Sequence, residues 1–172
     1  GRRRPAHRAG MINWLSKLLG RAQASAIEPA APRDAPRLSQ LHALSFHRGW
    51  GEGEFDQMLR SREVLAHRLR LGRTTEGFII SRIAADEAEI LSVAIAPDRR
   101  GRGLSRGLLT THLGHLAGFG VAKVFLEVEE NNQPAVRLYQ RAGFRTVGRR
   151  ERYYREAGGQ ELNALVMQRD LS

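Results

Sequence analysis

Cysteine is absent from the 172 residues. That excludes a disulfide framework, a zinc–thiolate site and a thiol nucleophile. It also removes the commonest route through a covalent acyl-enzyme. Nothing in the chain then calls for an oxidising compartment, and a cytoplasmic setting is the expectation. Long apolar runs are missing too: none approaches the roughly 20 residues a membrane span needs. Aromatic residues reach only 6%, but 41% of the chain is apolar and 27% is charged. That balance belongs to an ordinary globular domain and excludes collagen and acidic disordered chains. The length predicts one domain with room for a tail.

Acidic residues are missing from one place in particular. Residues 1–24 hold six basic residues (Arg2, Arg3, Arg4, Arg8, Lys17, Arg21) and no acid. The remaining 22 basic residues face all 18 acids, so the formal +10 charge sits mostly in this segment. The body is only mildly basic, which weakens a nucleic-acid reading based on overall charge. No specific nucleic-acid partner is expected, since no aromatic is interleaved with the N-terminal arginines. The chain opens with Gly, and residues 1–10 read as an upstream or vector-derived basic tail. Residues 11–24 place Trp14, Leu15, Leu18 and Leu19 on one helical face. We expect a short helical extension there, docked on the domain, because two turns are short for membrane anchoring. The domain proper is expected over 25–172.

Three of the six prolines fall in 25–36, which reads as a short edge strand and a loop. Leu38, Leu41 and Leu44 predict a helix ending near Phe46. A glycine-rich loop, 47–53, precedes a second short helix carrying Phe55, Met58 and Leu59. Strand-like runs follow at 64–70, 76–83 and 89–95, with hairpin character at 84–87. After Pro97 comes an Arg/Gly loop, then a helix from Ser105 to Ala117 and a strand over 121–128. Asn132 caps the next helix, with Pro134 in its first turn and Gly143 past its end. Two more strands are expected at 144–154 and 161–168. The succession predicts an α/β fold with a mixed, largely antiparallel central sheet and flanking helices.

The stretch from Pro97 to Gly107 lies between a buried strand and a helix. Gly101, Gly103 and Ser105 let a backbone approach a ligand closely. The first N–H groups of the helix and the positive end of its dipole point into that space. This describes an anion cradle suited to phosphate. A Walker loop is excluded, because no Gly-Lys-Ser/Thr follows. A dinucleotide fingerprint is excluded too: Arg106 stands where its third glycine belongs, and the preceding strands read as antiparallel.

Arg100-x-x-Gly103-x-Ser105, after a strand and opening a helix, resembles the acyl-CoA loop of the GNAT N-acetyltransferases. Ser105 replaces the usual Gly or Ala with another small residue. Downstream, Leu126 to Asn132, Ala135 to Tyr139 and Ala142-Gly143-Phe144 resemble that family's second signature. The run from Gly77 to Met167, with Arg149-Arg150 and Tyr153-Tyr154, looks most like the bacterial ribosomal-protein-alanine N-acetyltransferases. The resemblance spans roughly residues 25–169. It implies the family's fold and acetyl-CoA as co-substrate, without a metal. It implies transfer to the N-terminal α-amine of a protein, a ribosomal protein in the subfamily's case. Transfer to a protein lysine or a small-molecule amine is the alternative.

The resemblance also implies roles. Val93, Ala94 and Ile95 would line the acetyl and pantetheine portion, since an open strand edge offers N–H and C=O groups. A backbone N–H there can polarise the thioester carbonyl and hold the oxyanion. Arg100, Gly101, Arg102, Gly103, Leu104, Ser105 and Arg106 would hold the pyrophosphate, chiefly through backbone. Glu127 would be the general base, acting through water, and Tyr139 the general acid for the departing thiolate. Asn132 would be both helix cap and CoA ligand. Glu129 and Glu130 are nearby rivals of Glu127, the alternative being that they simply attract the cationic substrate. Trp50, Tyr153 and Tyr154 are candidates to clamp the substrate peptide. An α-amine, with a pKa near 7.7–8.0, is roughly a tenth neutral at pH 7, whereas under about a thousandth of a lysine is. A modest, water-mediated base is adequate for the α-amine. The enzyme is expected to act as a monomer, in a ternary complex, away from membranes.

Overall fold

The computed structural model describes residues 24–46, 48–155, 159 and 161–172, and for 152–155 the backbone alone. The expected tail over 1–10 and extension over 11–24 lie, except for Ala24, outside the described residues.

The elements follow in chain order: β1 (Ser25–Pro29), α1 (Ala35–Ser45), α2 (Glu52–Arg60), β2 (Val64–Leu71), β3 (Thr74–Ala84), β4 (Glu87–Ile95), α3 (Leu104–Gly118), β5 (Lys123–Glu129), α4 (Gln133–Arg141), β6 (Arg145–Arg155) and β7 (Glu161–Asp170). Short 3-10 turns at Pro32–Asp34 and Pro97–Arg99 introduce α1 and follow β4. α1 begins three residues before the expected start at Leu38. Its first turn admits Pro36, since a proline there gives up an N–H that has no helical partner anyway.

The strands form one seven-stranded sheet in the order β1-β2-β3-β4-β5-β7-β6. Every neighbouring pair is antiparallel except β4 with β5. The mixed α/β fold expected from the element order is therefore present. Helices cover both faces. On one face Leu108, Leu109, Leu113 and Leu116 of α3, with Val136 and Tyr139 of α4, pack on Ile79, Ile90, Val124 and Leu126. On the other, Leu38 and Leu41 of α1 and Phe55 of α2 pack on Ala66, Phe78, Ile80 and Ala94. β3 lies between both layers, which explains why Thr75 to Ser81 form one unbroken buried run. The period of α3 puts its leucines on a single stripe, so one side docks and the other stays wet. Among the described residues no helix is long and apolar enough to cross a membrane.

Candidate active site

The parallel pair at the middle of the sheet is short. It runs only from Glu87 opposite Lys123 to Ile90 opposite Leu126. Beyond that point β4 stays on β3 as far as Ile95, and β5 stays on β7 as far as Glu129. The two strands thus separate into a fork. A bulge explains the divergence. On β3, Ile80 faces Ser92 and Ser81 faces Ile90, so Leu91 is an extra residue in β4. Such an insertion bends the strand and increases its twist. Val93, Ala94 and Ile95 keep an edge that no described strand pairs, where alternate residues turn backbone groups toward the gap and an amide-bearing ligand could meet them.

At the end of that strand the chain turns into α3. Gly101 and Gly103 have φ of 76° and 74°, the left-handed region that glycine enters without strain. Among the described residues, no atom beyond the immediate chain neighbours lies within 4 Å of where a Cβ would stand on either residue, so the turn is open above its backbone. Gly103 is the N-cap of α3, and no acid occupies the first turn. The N–H groups of a 15-residue helix therefore face an open, positive space. Arg100 points elsewhere. Its Nε donates to the Ile95 carbonyl at 3.1 Å and its Nη2 donates to Ser45 Oγ at 2.9 Å. Its side chain braces the fork against α1, leaving backbone to line the turn. Arg102 and Arg106 are exposed beside it.

Glu127 and Tyr139 belong to opposite faces of the sheet. Tyr139 lies in the α3/α4 cluster, 9% exposed, its ring 5.8 Å from that of Phe144. Glu127 opens on the α1/α2 face, because its neighbours Leu126 and Val128 are buried under α3 and α4. There it lines a hollow of about 350 Å³ with Arg82, Glu89, Phe125, Arg150 and Val166. Arg150 Nε stands 3.0 Å from Glu127 Oε1. Glu130 is engaged by Arg149 through two 3.1 Å hydrogen bonds and by Asn163 Nδ2 at 3.1 Å. These partners hold its carboxyl below the usual range, the Arg149 hydrogen bonds most of all. Asn132 caps α4, its Oδ1 accepting from the Ala135 N–H at 3.3 Å.

Trp50 is fastened to α1 at both backbone groups. Its N–H donates to His42 Nδ1 at 3.1 Å, and its carbonyl accepts from Ser39 Oγ at 2.8 Å. Its ring stacks on His42 with centroids 4.5 Å apart. Burial pushes the His42 pKa down to about 4, so its ring is neutral and Nδ1 is available as an acceptor. The side chains of Tyr153 and Tyr154 lie outside the described residues. Their backbone belongs to β6, where the register slips between Arg150 and Tyr154. Sequence reasoning did not find Arg150 as the partner of Glu127, nor Ser39 and His42 as the clasp on Trp50. The first pairing needs the strand order, and the second needs the fold of the chain after α1, which brings Trp50 back to Ser39 and His42.

The fork, the open glycine turn and the two-sided placement of Glu127 and Tyr139 belong to a chain that resembles known acetyltransferases in both sequence and fold. The acetyltransferase (GNAT) family profile matches residues 35–144, well over half of the chain. The chain belongs to that family and is an N-acetyltransferase. The [ribosomal protein bS18]-alanine N-acetyltransferase of Escherichia coli is 32% identical over 134 residues, 78% of this chain and 89% of its own. The crystal structure of the E. coli ribosomal-protein-S18-alanine N-acetyltransferase superposes with a TM-score of 0.81 at 28% identity, covering 87% of this chain and 95% of that one. The N-alpha-acetyltransferase RimI of Mycobacterium tuberculosis is 36% identical over 143 residues, 80% of this chain and 87% of its own. Arabidopsis thaliana NAA60, solved in complex with acetyl-CoA, shares the fold at a TM-score of 0.76 and 22% identity, covering 86% of this chain and 99% of that one.

Proposed function

We propose that this chain transfers acetyl from acetyl-CoA directly to the N-terminal α-amine of a protein, a ribosomal protein among its relatives' substrates. The observation that carries the reading is the fork. The strands part beyond Ile90 and Leu126, with α3, the turn that opens it and Tyr139 on one face of the sheet and Glu127 on the other. Donor and acceptor can then approach from opposite faces and meet between β4 and β5 without an enzyme-bound acyl group.

In this reading the backbone N–H groups of Gly101 to Arg106 hold the pyrophosphate, and Asn132 adds a ligand at the start of α4. The open edge at Val93, Ala94 and Ile95 binds the pantetheine amides and donates to the oxyanion that develops on the thioester carbonyl. Glu127, through a water molecule, takes the proton that the α-ammonium gives up. The neutral nitrogen attacks the carbonyl carbon, a C–N bond forms and the C–S bond breaks. Tyr139 gives its hydroxyl proton to the leaving thiolate. Trp50, Tyr153 and Tyr154 are assigned to clamp the acceptor peptide.

Two hexapeptides of equal composition test this, one with an unblocked N-terminal Ala and one blocked but containing Lys. Thiol release from acetyl-CoA is expected only with the unblocked Ala peptide. Tyr139→Phe keeps the buried ring and removes the hydroxyl, and should lower kcat by about 10²-fold or more with little change in melting temperature. Turnover on the blocked Lys peptide alone would move the activity to lysine.

A further inference from the structure

Glu127 shares its carboxylate with a cation of the enzyme. Arg150 reaches it from β6, across the intervening β7. Glu127 pairs with Val166 and Arg150 pairs with Ala164, so all four side chains share the face on which the hollow opens. The two partners differ in exposure: the Glu127 side chain is 17% exposed and that of Arg150 is 55% exposed. The carboxylate is the sheltered member and the guanidinium is the one that water can accept. Glu89 and Glu87 line the same hollow and offer other anions to a displaced arginine.

The reaction changes the charge at this point. An α-amine near neutral pH arrives mostly as ammonium and leaves as a neutral amide. An ammonium can replace a guanidinium beside a carboxylate, whereas an amide cannot. We infer that Arg150 is a resident cation on Glu127: the incoming α-ammonium, joined to the carboxylate through the bridging water, displaces it, and its return after transfer expels the acetylated N-terminus. Arg150 is then a positioning residue that sets product affinity. The inference rests on the proposed acceptor site at Glu127. Turnover of the wild type on the unblocked Ala peptide tests that site separately.

The experiment uses the full chain with CoA present and an otherwise uncharged, C-terminally amidated hexapeptide, with its N-terminus either unblocked or acetylated. Ion pairs of this exposure are weak, so Arg150→Gln should bind the acetylated peptide about two- to fivefold more tightly than wild type. Arg150→Lys should restore most of the difference. In a Glu127→Gln background, Arg150→Gln should have no such effect. The wild type supplies an independent arm. Raising the salt from about 10 mM to about 150 mM screens the Arg150–Glu127 pair. The acetylated peptide should then bind more tightly while the cationic one binds more weakly. Unchanged or weaker product binding in Arg150→Gln would overturn the inference. So would an effect that persists undiminished without the Glu127 carboxylate, or salt dependences of the same sign.

Discussion

Gly77 stands opposite Ile95, where β3 lies against the last residue of the forked strand. A Cβ at this position would sit 2.6 Å from Ile95 Cδ1 and 3.0 Å from the Ala94 carbonyl oxygen. The isoleucine methyl can rotate away, but the backbone oxygen can move only with β4. Gly77→Ala should therefore cost about 1–3 kcal/mol in urea unfolding, the usual range for overpacking. Because β4 is the proposed donor strand, the KM for acetyl-CoA should rise more than the acceptor KM. At this scale the sequence was partly legible. Gly101 and Gly103 announced an open turn because a positive φ is a local demand that few other residues meet. Gly77 announced nothing, since its constraint comes from a strand 18 residues downstream. Arg100 was legible as a loop cation, but the Ile95 carbonyl and Ser45 decide where its guanidinium goes.

At the scale of elements, α1 does two things with one sequence. Leu38 and Leu41 dock it on the sheet, while Ser39 and His42 hold the chain that follows it. His42 is 4% exposed and combines a stack with an acceptor. Substitutions can separate the two. His42→Phe keeps an aromatic face and leaves the Trp50 N–H without its acceptor. His42→Asn keeps a nearby acceptor and gives up the stack. If the clasp positions Trp50 for the acceptor, His42→Phe should raise the acceptor KM severalfold with the acetyl-CoA KM unchanged, and His42→Asn should recover part of it. Steady-state rates with both substrates varied decide the matter, and equal KM values in all three proteins would count against the role. The existence of α1, α3 and α4 was legible because apolar periodicity and caps are local. Asn132, Pro134 and Gly143 bound α4 as expected. The clasp was not legible, because positions 39 and 42 carry the same helical spacing as the core residues beside them.

The whole molecule carries a further set of buried imidazoles. His67 of β2 and His112 of α3 meet Nδ1 to Nδ1 at 2.7 Å, and His112 Nε2 meets Ser81 Oγ of β3 at 2.7 Å. They pin α3 to the sheet. Burial, with the nearby His115 adding a smaller effect, lowers His67 to about 4. Burial, then His67 and His115, lowers His112 to about 3. With His42, three histidines refuse protons that the unfolded chain accepts near pH 6.5. Their stabilisation is complete above pH 6.5 and is lost as the pH falls toward 4 and 3. Each can contribute up to about 1.4 kcal/mol per pH unit in that window. Glu28, lowered to about 2 chiefly by its hydrogen bonds to Arg70 and Arg68, loses its contribution only at lower pH. Urea midpoints between pH 7 and 5 should therefore fall steeply. His112→Gln, if it folds, should flatten the slope; an unchanged slope would remove His112 from the account.

Taken alone, the sequence determined the members of this fold: which segments alternate, which are periodic, where glycine turns the chain and where Asn132 starts a helix. Those are short-range choices, settled by sterics and hydrogen bonding among residues a few positions apart. The tertiary structure decided how the members meet. It inserted β7 between β5 and β6, and so brought Arg150 to Glu127. It bulged β4 at Leu91 and parted it from β5. It set Tyr139 and Glu127 on opposite faces of the sheet. These arrangements depend on sheet order and register, which the burial of two apolar layers selects and which no local pattern encodes.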